Sequence, residues 1–351
     1  MPYRIMRSYL ISLIALCFYC TSIAAQNTFD GIACWGDSKT QGGQESPDVS
    51  YPSILQALLD SAGYNISVFN FGAHGEKSTE IMKRQGASPL IIQPFTIPAS
   101  AEKEVKVSIN SRLRVPEAGC NPCYVADIEG YLRHDWDDSS QKTFYFHRSK
   151  DGDSLAIDKP TQVITDAMLH HRNDVLVMDI GYNGGYSSIE DWISQYKQMV
   201  DYSECKEYIV IGRASHYYTT SSSYEEAFKE AFGNRYISLS NYYVEHGLLD
   251  AGIQPTSKDL VDIASQRPPS SLFYDEHHEN NAGYRIKANL VFNKLKELGI
   301  ITPVSTIIEE VKDINNISEK GAIYTLQGRK INKVNKSGIY IINRKKVYIK
   351  L

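Results

Sequence analysis

The chain has 351 residues, of which 42% are hydrophobic, and its formal net charge at pH 7 is −4. This length accommodates one large domain and a smaller module. The net charge is not basic enough to suggest nucleic-acid binding, and the hydrophobic fraction is ordinary for a soluble globular chain.

The first 25 residues have the pattern of a secretory signal peptide. Arg4 and Arg7 supply positive charge, residues 9–20 form an apolar run, and the small residues at 22–25 predict cleavage after Ala25. A retained membrane anchor is the alternative, but the apolar run is short for a membrane span. We therefore expect an exported protein, either secreted or held at the cell surface.

The cysteines support the same expectation without deciding it. Cys17 and Cys20 lie in the signal segment, where lipid attachment is a minor alternative because Leu and Tyr precede them. Cys120 and Cys123 enclose Asn-Pro, a spacing compatible with a small disulfide loop in an oxidising compartment. Zinc binding would need a second pair of ligands nearby, and the sequence offers none.

The stretch Cys34–Gly43 organises the chain. It ends an apolar run, Gly31–Trp35, that is typical of a buried strand, and a helical pattern follows from Tyr51 to Ala62. Ser38 therefore lies just beyond the carboxyl end of a strand, where open α/β sheets bind their ligands. Taken alone, Gly36-Asp37-Ser38 is explained equally well as a turn.

The rest of the main domain alternates strands and helices, which predicts an α/β fold with a parallel sheet covered on both faces. The predicted strands are 66–71, 174–180, 208–212 and 236–239, and the predicted helices are 79–85, 189–200, 224–232 and 281–298. Residues 257–271 are polar and proline-bearing, which indicates mostly loop.

Two regions depart from this alternation. Residues 86–158 carry short β-type runs separated by turns, and they predict a β-rich insertion that either walls the active site or forms a structural flap. Residues 301–320 indicate a linker. Residues 321–351 alternate around turns and contain many lysines, which predicts a small antiparallel β-module.

A serine nucleophile needs a base, and the base needs an acidic partner that fixes its tautomer. Asp275 and His278 are three residues apart, so that the carboxylate can meet the imidazole, and His278 would then face Ser38. Spacing alone barely separates His278 from His277. A solvated polar loop and a metal site are the alternatives for Asp275–Glu279, although helical metal-ligand spacing and a third ligand are missing.

Acyl transfer also needs hydrogen-bond donors for the developing oxyanion. The backbone N–H groups of Ser38 and Gly75 fit this requirement, because both residues follow strand ends and lie in loops. The Asn183 side chain fits as a third donor. Each of the three residues is also compatible with an ordinary turn.

Four blocks, in this order, resemble those of the SGNH (GDSL) hydrolase family. They are Gly36-Asp37-Ser38 with Thr40 and Gly42, Asn70 to Ser78, Gly181-Tyr182-Asn183, and Asp275 to Tyr284. The resemblance covers roughly Gly31–Leu298 and selects His278 over His277. The chain departs from the family pattern at Gly184, where the family usually has Asp, and at Glu279, where a proline often follows the histidine.

The resemblance implies a flavodoxin-like three-layer α/β/α domain over residues 26–300. It also implies hydrolysis of esters or related acyl bonds without a cofactor or metal. The implied catalytic residues are Ser38, His278 and Asp275, and the implied oxyanion donors are Ser38, Gly75 and Asn183.

The carboxyl-terminal module resembles the sorting domain of type IX secretion in Bacteroidetes, through Leu326-Gln327-Gly328-Arg329 and Gly338–Ile342. This resemblance implies export, with the secretion machinery as a partner. Export and the family resemblance together favour a carbohydrate esterase that removes acetyl groups from a polysaccharide. The alternatives are a lipid esterase or lysophospholipase, and a non-catalytic glycan-binding protein.

Overall fold

The computed structural model describes residues 29–302, except for 115, 117, 135–142, 217–219 and 221–222, and five short stretches near the carboxyl terminus: 309–311, 323–325, 330–331, 337–342 and 345–349. The predicted signal peptide and most of the predicted linker lie outside the described residues. Within the described part of the chain, no helix combines the length and apolar character that crossing a membrane requires. The chain divides into a unit spanning residues 27–301 and a second unit that contains residues 302–351.

The strands of the first unit are β1 (Gly31–Gly36), β2 (Ser67–Gly72), β3 (Ile91–Ile92), β4 (Phe95–Ile97), β5 (Val105–Ser108), β6 (Cys123–Val125), β7 (Ile128–His134), β8 (Thr143–Arg148), β9 (Leu155–Ile157), β10 (Thr161–Ile164), β11 (Val175–Asp179), β12 (Tyr208–Ile211) and β13 (Tyr236–Ile237). Its α-helices are α1 (Ser38–Gln41), α2 (Tyr51–Ser61), α3 (Ser78–Gln85), α4 (Asp166–His170), α5 (Ile189–Tyr202), α6 (Ser223–Phe232), α7 (Leu239–Tyr242), α8 (Leu248–Ala251), α9 (Ser257–Ala264) and α10 (Asn281–Glu297). A π-helical turn, Tyr243–Gly247, joins α7 to α8, and 3-10 turns lie at Gly233–Arg235 and Ser270–Leu272.

The central sheet of this unit is parallel, and its strands lie in the order β2-β1-β11-β12-β13. Every residue of β1 and β11 is buried, because helices cover both faces. Alternate side chains of a strand point to opposite faces, so Ile32 and Cys34 join one core while Ala33 and Trp35 join the other. The predicted α/β fold with a parallel sheet is confirmed.

The two cores are built from different helices. Leu55 of α2 and Val291 of α10 pack on one face of the sheet. Ile81 of α3, Trp192 of α5 and Phe228 of α6 pack on the other face. The sheet is therefore a middle layer between two layers of helices.

The carboxyl ends of the three neighbouring strands β2, β1 and β11 are in register. Gly36 pairs with Gly72 on one side and with Asp179 on the other. The loops that follow these strands therefore begin at one edge of the sheet, and they carry Ser38, Gly75 and Asn183.

The region predicted as a β-rich insertion forms a six-stranded antiparallel sheet, in the order β3-β10-β6-β7-β8-β5, and a separate pair of strands, β4 and β9. It has a core of its own that includes Ile92, Leu132 and Phe146. The sheet includes β10, which lies beyond the predicted end at residue 158, because β10 pairs with both β3 and β6.

The loop predicted for residues 257–271 is wrong for its first half, which is helix α9. Thr256 starts this helix with a capping box, since its side chain accepts the N–H of Asp259 and the Asp259 carboxylate accepts the N–H of Thr256. This reciprocal capping overrides the polar composition of the segment.

The second unit contains five described strands: β14 (Glu309–Val311), β15 (Ile323–Thr325), β16 (Lys330–Ile331), β17 (Gly338–Ile342) and β18 (Lys345–Ile349). They lie in the order β14-β18-β17-β15-β16. All neighbouring pairs are antiparallel except β14 with β18, which is parallel. Ile323, Tyr340, Ile342 and Ile349 form a small buried core.

Candidate active site

Ser38 is the first residue of α1, and Asp37 alone separates it from the end of β1. Asp37 caps this short helix, because its carboxylate accepts the N–H of Lys39 at 3.1 Å. Gly36 has no space for a side chain, since a Cβ there would come within 2.0 Å of Thr40 Oγ1. The first N–H groups of a helix have no partner inside it, so the N–H of Ser38 lies outside the hydrogen bonding of the helix.

The imidazole of His278 joins Ser38 to Asp275. Its Nε2 lies 2.9 Å from Ser38 Oγ, and its Nδ1 lies 2.8 Å from Asp275 Oδ2. The two contacts use opposite ring nitrogens, so the ring can donate to the carboxylate while it accepts a proton from the hydroxyl. Of the two adjacent histidines, the structure brings His278 to Ser38.

The turn from Tyr274 to His278 holds the Asp275 carboxylate in place. Asp275 Oδ1 accepts the main-chain N–H groups of His277 and His278, each at 2.7 Å, and the N–H of Tyr274 donates to the carbonyl of His278 at 2.9 Å. Burial raises the pKa of Asp275, but the hydrogen bonds from His278 and from these N–H groups outweigh it and leave the pKa below its ordinary value. The carboxylate therefore stays ionised at neutral pH.

Gly75 lies in the loop after β2 with a φ of +69°, in the left-handed region that favours glycine. Two arginines of the insertion contact this loop. Arg112 donates to the carbonyl of Gly75 at 3.4 Å, and the side chain of Arg114 would lie 3.2 Å from a Cβ added at Gly75. The main-chain N–H of Arg114 also donates to the buried Glu76 carboxylate at 3.0 Å. The insertion therefore contacts the loop that carries Gly75.

Asn183, in the loop after β11, links the other two loops. Its Nδ2 donates to Asp37 Oδ2 at 3.2 Å and to the main-chain carbonyl of Glu76 at 3.1 Å. An amide NH2 has two hydrogens, so both are directed at these protein acceptors. Asn183 thus ties the residue before Ser38 to the residue after Gly75, which the sequence did not predict.

The fourth block contributes structure around the site. Asn280 caps α10, since its Oδ1 accepts the N–H groups of Ala282 and Gly283 at 3.0 Å each. The hydroxyl of Tyr284 donates to Gln44 Oε1 at 2.6 Å. These contacts fix the start of the helix that follows the histidine.

Sequence reasoning missed a group of buried charges that adjoins these residues. Its members are at most 1% exposed and are Lys39, Asp179, Glu279 and Lys287. Asp37 is also fully buried, and burial together with the charge of Asp179 raises the pKa of Asp37 to about 7. One sequence signal for the burial of Lys287 was available. Lys287 lies between the apolar residues Ile286 and Ala288, inside the predicted helix 281–298.

The described residues contain no group of three or more His, Cys, Asp or Glu side chains arranged to hold a metal ion. The disulfide considered for Cys120 and Cys123 is not formed, and both residues are buried free thiols.

No family model matches this chain, and no curated protein matches it. Several solved structures resemble it at a distance. The acetyl xylan esterase AlAXEase is 13% identical, with 75% of this chain and 98% of that chain covered and a TM-score of 0.37. An acetylxylan esterase from Geobacillus stearothermophilus is 11% identical, with 77% and 96% covered and a TM-score of 0.37. A peptidoglycan O-acetylesterase is 11% identical, with 78% and 93% covered and a TM-score of 0.34.

Proposed function

We propose that this chain is a serine esterase of the SGNH type, with Ser38 as nucleophile, His278 as base and Asp275 as the acidic partner. The observation that carries the proposal is the 2.9 Å contact between His278 Nε2 and Ser38 Oγ, with Asp275 on the other ring nitrogen. Covalent catalysis by a hydroxyl requires this arrangement of nucleophile, base and orienting group.

The proposed reaction has two halves. Ser38 Oγ attacks the ester carbonyl carbon while its proton passes to His278 Nε2, and the ionised Asp275 stabilises the imidazolium. Collapse of the tetrahedral intermediate releases the alcohol, which takes the proton from Nε2. A water molecule then attacks the acyl-serine with His278 again as base, and this step releases the carboxylic acid and regenerates Ser38.

The proposed oxyanion donors are the main-chain N–H groups of Ser38 and Gly75 and the side chain of Asn183. Asn183 would act as the third donor by exchanging its hydrogen bond with Asp37 for one with the oxyanion. Removing one such donor typically costs about a hundredfold or more in rate.

The order of the strands supports the proposed flavodoxin-like arrangement. In such sheets the ligand binds at the switch point, where the connections of neighbouring strands turn in opposite directions. Here β1 lies between β2 and β11, and the loops after β1 and β11 carry Ser38 and Asn183.

As substrate we propose an acetyl ester on a carbohydrate. The side chains of His278 and Asp275 are 24% and 44% exposed, so the proposed catalytic groups lie at the surface, where a bulky polymer can present a small acyl group. A long acyl chain would instead require a deep apolar groove. The predicted signal peptide, residues 1–25, supports export to a compartment where polysaccharides are met, and residues 321–351 are proposed as the sorting module.

The test is acetate release by the purified protein from acetylated xylan and pectin, compared with short- and long-chain acyl esters. Ser38→Ala is the matched control. We expect acetate release that Ser38→Ala abolishes. Hydrolysis of long-chain esters alone would contradict the carbohydrate substrate, and unchanged activity of Ser38→Ala would remove the serine mechanism.

A further inference from the structure

A buried ion pair joins the chain neighbours of the proposed nucleophile and base. Lys39 follows Ser38 directly, and Glu279 follows His278 directly. Lys39 Nζ lies 2.8 Å from Glu279 Oε2, and the two side chains are 1% and 0% exposed. The same ammonium donates a hydrogen bond to the main-chain carbonyl of His277. One side chain from the nucleophile turn therefore holds the residues on both sides of His278.

A second cation completes this cluster from another direction. Lys287 of α10 is paired with Asp179 at the end of β11, and its Nζ lies 3.4 Å from Glu279 Oε1. It also donates to the main-chain carbonyl of Lys39 at 3.4 Å. Glu279 is thus held between two ammonium groups, one beside Ser38 and one on the helix that follows His278.

Aromatic rings fix the position of the cluster. Lys39 Nζ lies 4.6 Å from the ring centroid of Tyr182 and 5.5 Å from that of Phe273. Such contacts between an ammonium and a ring face are attractive when both are desolvated. Lys39 Nζ therefore contacts the Glu279 carboxylate, the His277 carbonyl and two aromatic rings.

Stability alone does not account for such a cluster. Removing two charges from water has a large desolvation cost. A protein with well-packed apolar residues in place of a buried ion pair is often equally or more stable, so such a pair is weak evidence for stability. The position of the pair suggests a different role. It links positions 39 and 279, which adjoin Ser38 and His278, and the distance between the Ser38 hydroxyl and the His278 imidazole matters for proton transfer.

We infer that Lys39 and Glu279 are positioning residues, and that their ion pair sets the distance and angle between the Ser38 hydroxyl and the His278 imidazole. This inference rests on the proposed serine-esterase function. Neither side chain touches the reacting atoms, so their effect passes through the main chain of Ser38 and His278. A displacement of about 1 Å at a reacting centre costs roughly a hundredfold in rate.

The test uses Glu279→Gln, which keeps the shape and removes the charge, together with Lys39→Met and the double variant. The double variant leaves the Lys287–Asp179 pair intact and removes one cation and one anion together, so we expect it to fold even if a single variant does not. Lys294→Met with Glu297→Gln is the control, because this Lys–Glu ion pair lies at the far end of α10 and its side chains are 17% and 57% exposed.

The readouts are kcat and KM for an acetyl ester, with active sites counted by a serine-reactive phosphonate, and thermal unfolding. We expect kcat per active site to fall roughly 10- to 100-fold with KM within about threefold. In the double variant the two losses should not multiply, because one pair is involved. The control pair should leave kcat unchanged.

Each outcome separates this inference from the proposed function. A folded Glu279→Gln or double variant with wild-type kcat per active site overturns the positioning role, while the esterase proposal stands. A wild-type protein with no esterase activity and no phosphonate labelling of Ser38 overturns the proposed function itself. A lower melting temperature with unchanged kcat identifies a purely structural pair and also overturns the inference.

Discussion

Asn183 donates an amide hydrogen to Asp37, the residue immediately before Ser38, across 3.2 Å. The second amide hydrogen goes to the main-chain carbonyl of Glu76, next to Gly75. One side chain thus connects the loops that carry all the proposed oxyanion donors. A role as donor and a role in holding the loops both depend on the same NH2 group.

Replacing Asn183 with alanine removes both hydrogen bonds and the proposed third donor. We expect kcat for an acetyl ester to fall about a hundredfold with a small change in KM, because the donor acts mainly in the transition state. Asn289→Ala is the control, since Asn289 Nδ2 donates along its own helix, to the carbonyl of Arg285. A kcat within about threefold of wild type in Asn183→Ala would remove Asn183 from the mechanism.

Asp37 predicts a pH dependence of stability. Its folded-state pKa, raised to about 7 from the ordinary 3.8 by burial and the charge of Asp179, means that the folded state holds a proton which the unfolded state has lost. The unfolding free energy should therefore fall as pH rises from about 4 to about 7, by at most about 1.4 kcal/mol per pH unit, and then level off.

Urea unfolding of the wild type and of Asp37→Asn between pH 4.5 and 8 isolates this contribution. As pH rises to 7, the unfolding free energy of the wild type should fall steadily relative to that of Asp37→Asn. The pKa values of Asp275 and Glu279 are lowered in the folded state. Their contributions to the unfolding free energy are therefore present above their ordinary pKa values, and they are lost as pH falls below most of the range of the experiment. A difference independent of pH would contradict the shifted pKa of Asp37.

The adjacent histidines supply their own control. His278→Ala removes the proposed base, and we expect kcat to fall by about a thousandfold or more. His277→Ala should leave kcat within a few-fold, because the contact of Lys39 with His277 uses the main-chain carbonyl, which alanine retains. Steady-state rates on one acetyl ester decide the point. Equal losses in the two variants would contradict the assignment of His278 as the base.

Gly75 and Gly63 separate backbone strain from crowding at the site. Both have positive φ, +69° and +79°, so an alanine is strained at either position by about 1 kcal/mol. A Cβ at Gly63 meets nothing within 4 Å, whereas one at Gly75 comes within 3.2 Å of Arg114. We expect similar losses of stability but a tenfold or greater loss of kcat in Gly75→Ala alone. Equal kcat values in the two variants would contradict the expectation that a side chain at Gly75 disturbs the proposed site.

Local pattern was sufficient for the elements with strong signals. The apolar runs of β1 and β11 predicted buried strands, and alternation of strands and helices predicted the parallel sheet. The spacing of Asp275 and His278, together with the four blocks that selected His278 over His277, nominated with Ser38 the residues that the structure brings together. Their catalytic roles stay predictions.

The buried charges were beyond local pattern, because their partners are remote in sequence. Lys287 is 108 residues from Asp179 and 248 from Lys39, and each charged residue alone is typical of an exposed surface. Their burial depends on α1, β11 and α10 meeting in the folded chain. The hydrogen bonds of Asn183 were likewise hidden, since they depend on how the loops after β1 and β2 lie beside the loop after β11.

The central claim is that Ser38 is a nucleophile activated by His278. Intact-mass and peptide mass spectrometry after treatment with a fluorophosphonate tests it directly, on the wild type and on His278→Ala. We expect one adduct, on Ser38, in the wild type and at least a hundredfold slower labelling in the variant. Labelling of another residue, or equal labelling rates in the two proteins, would contradict it.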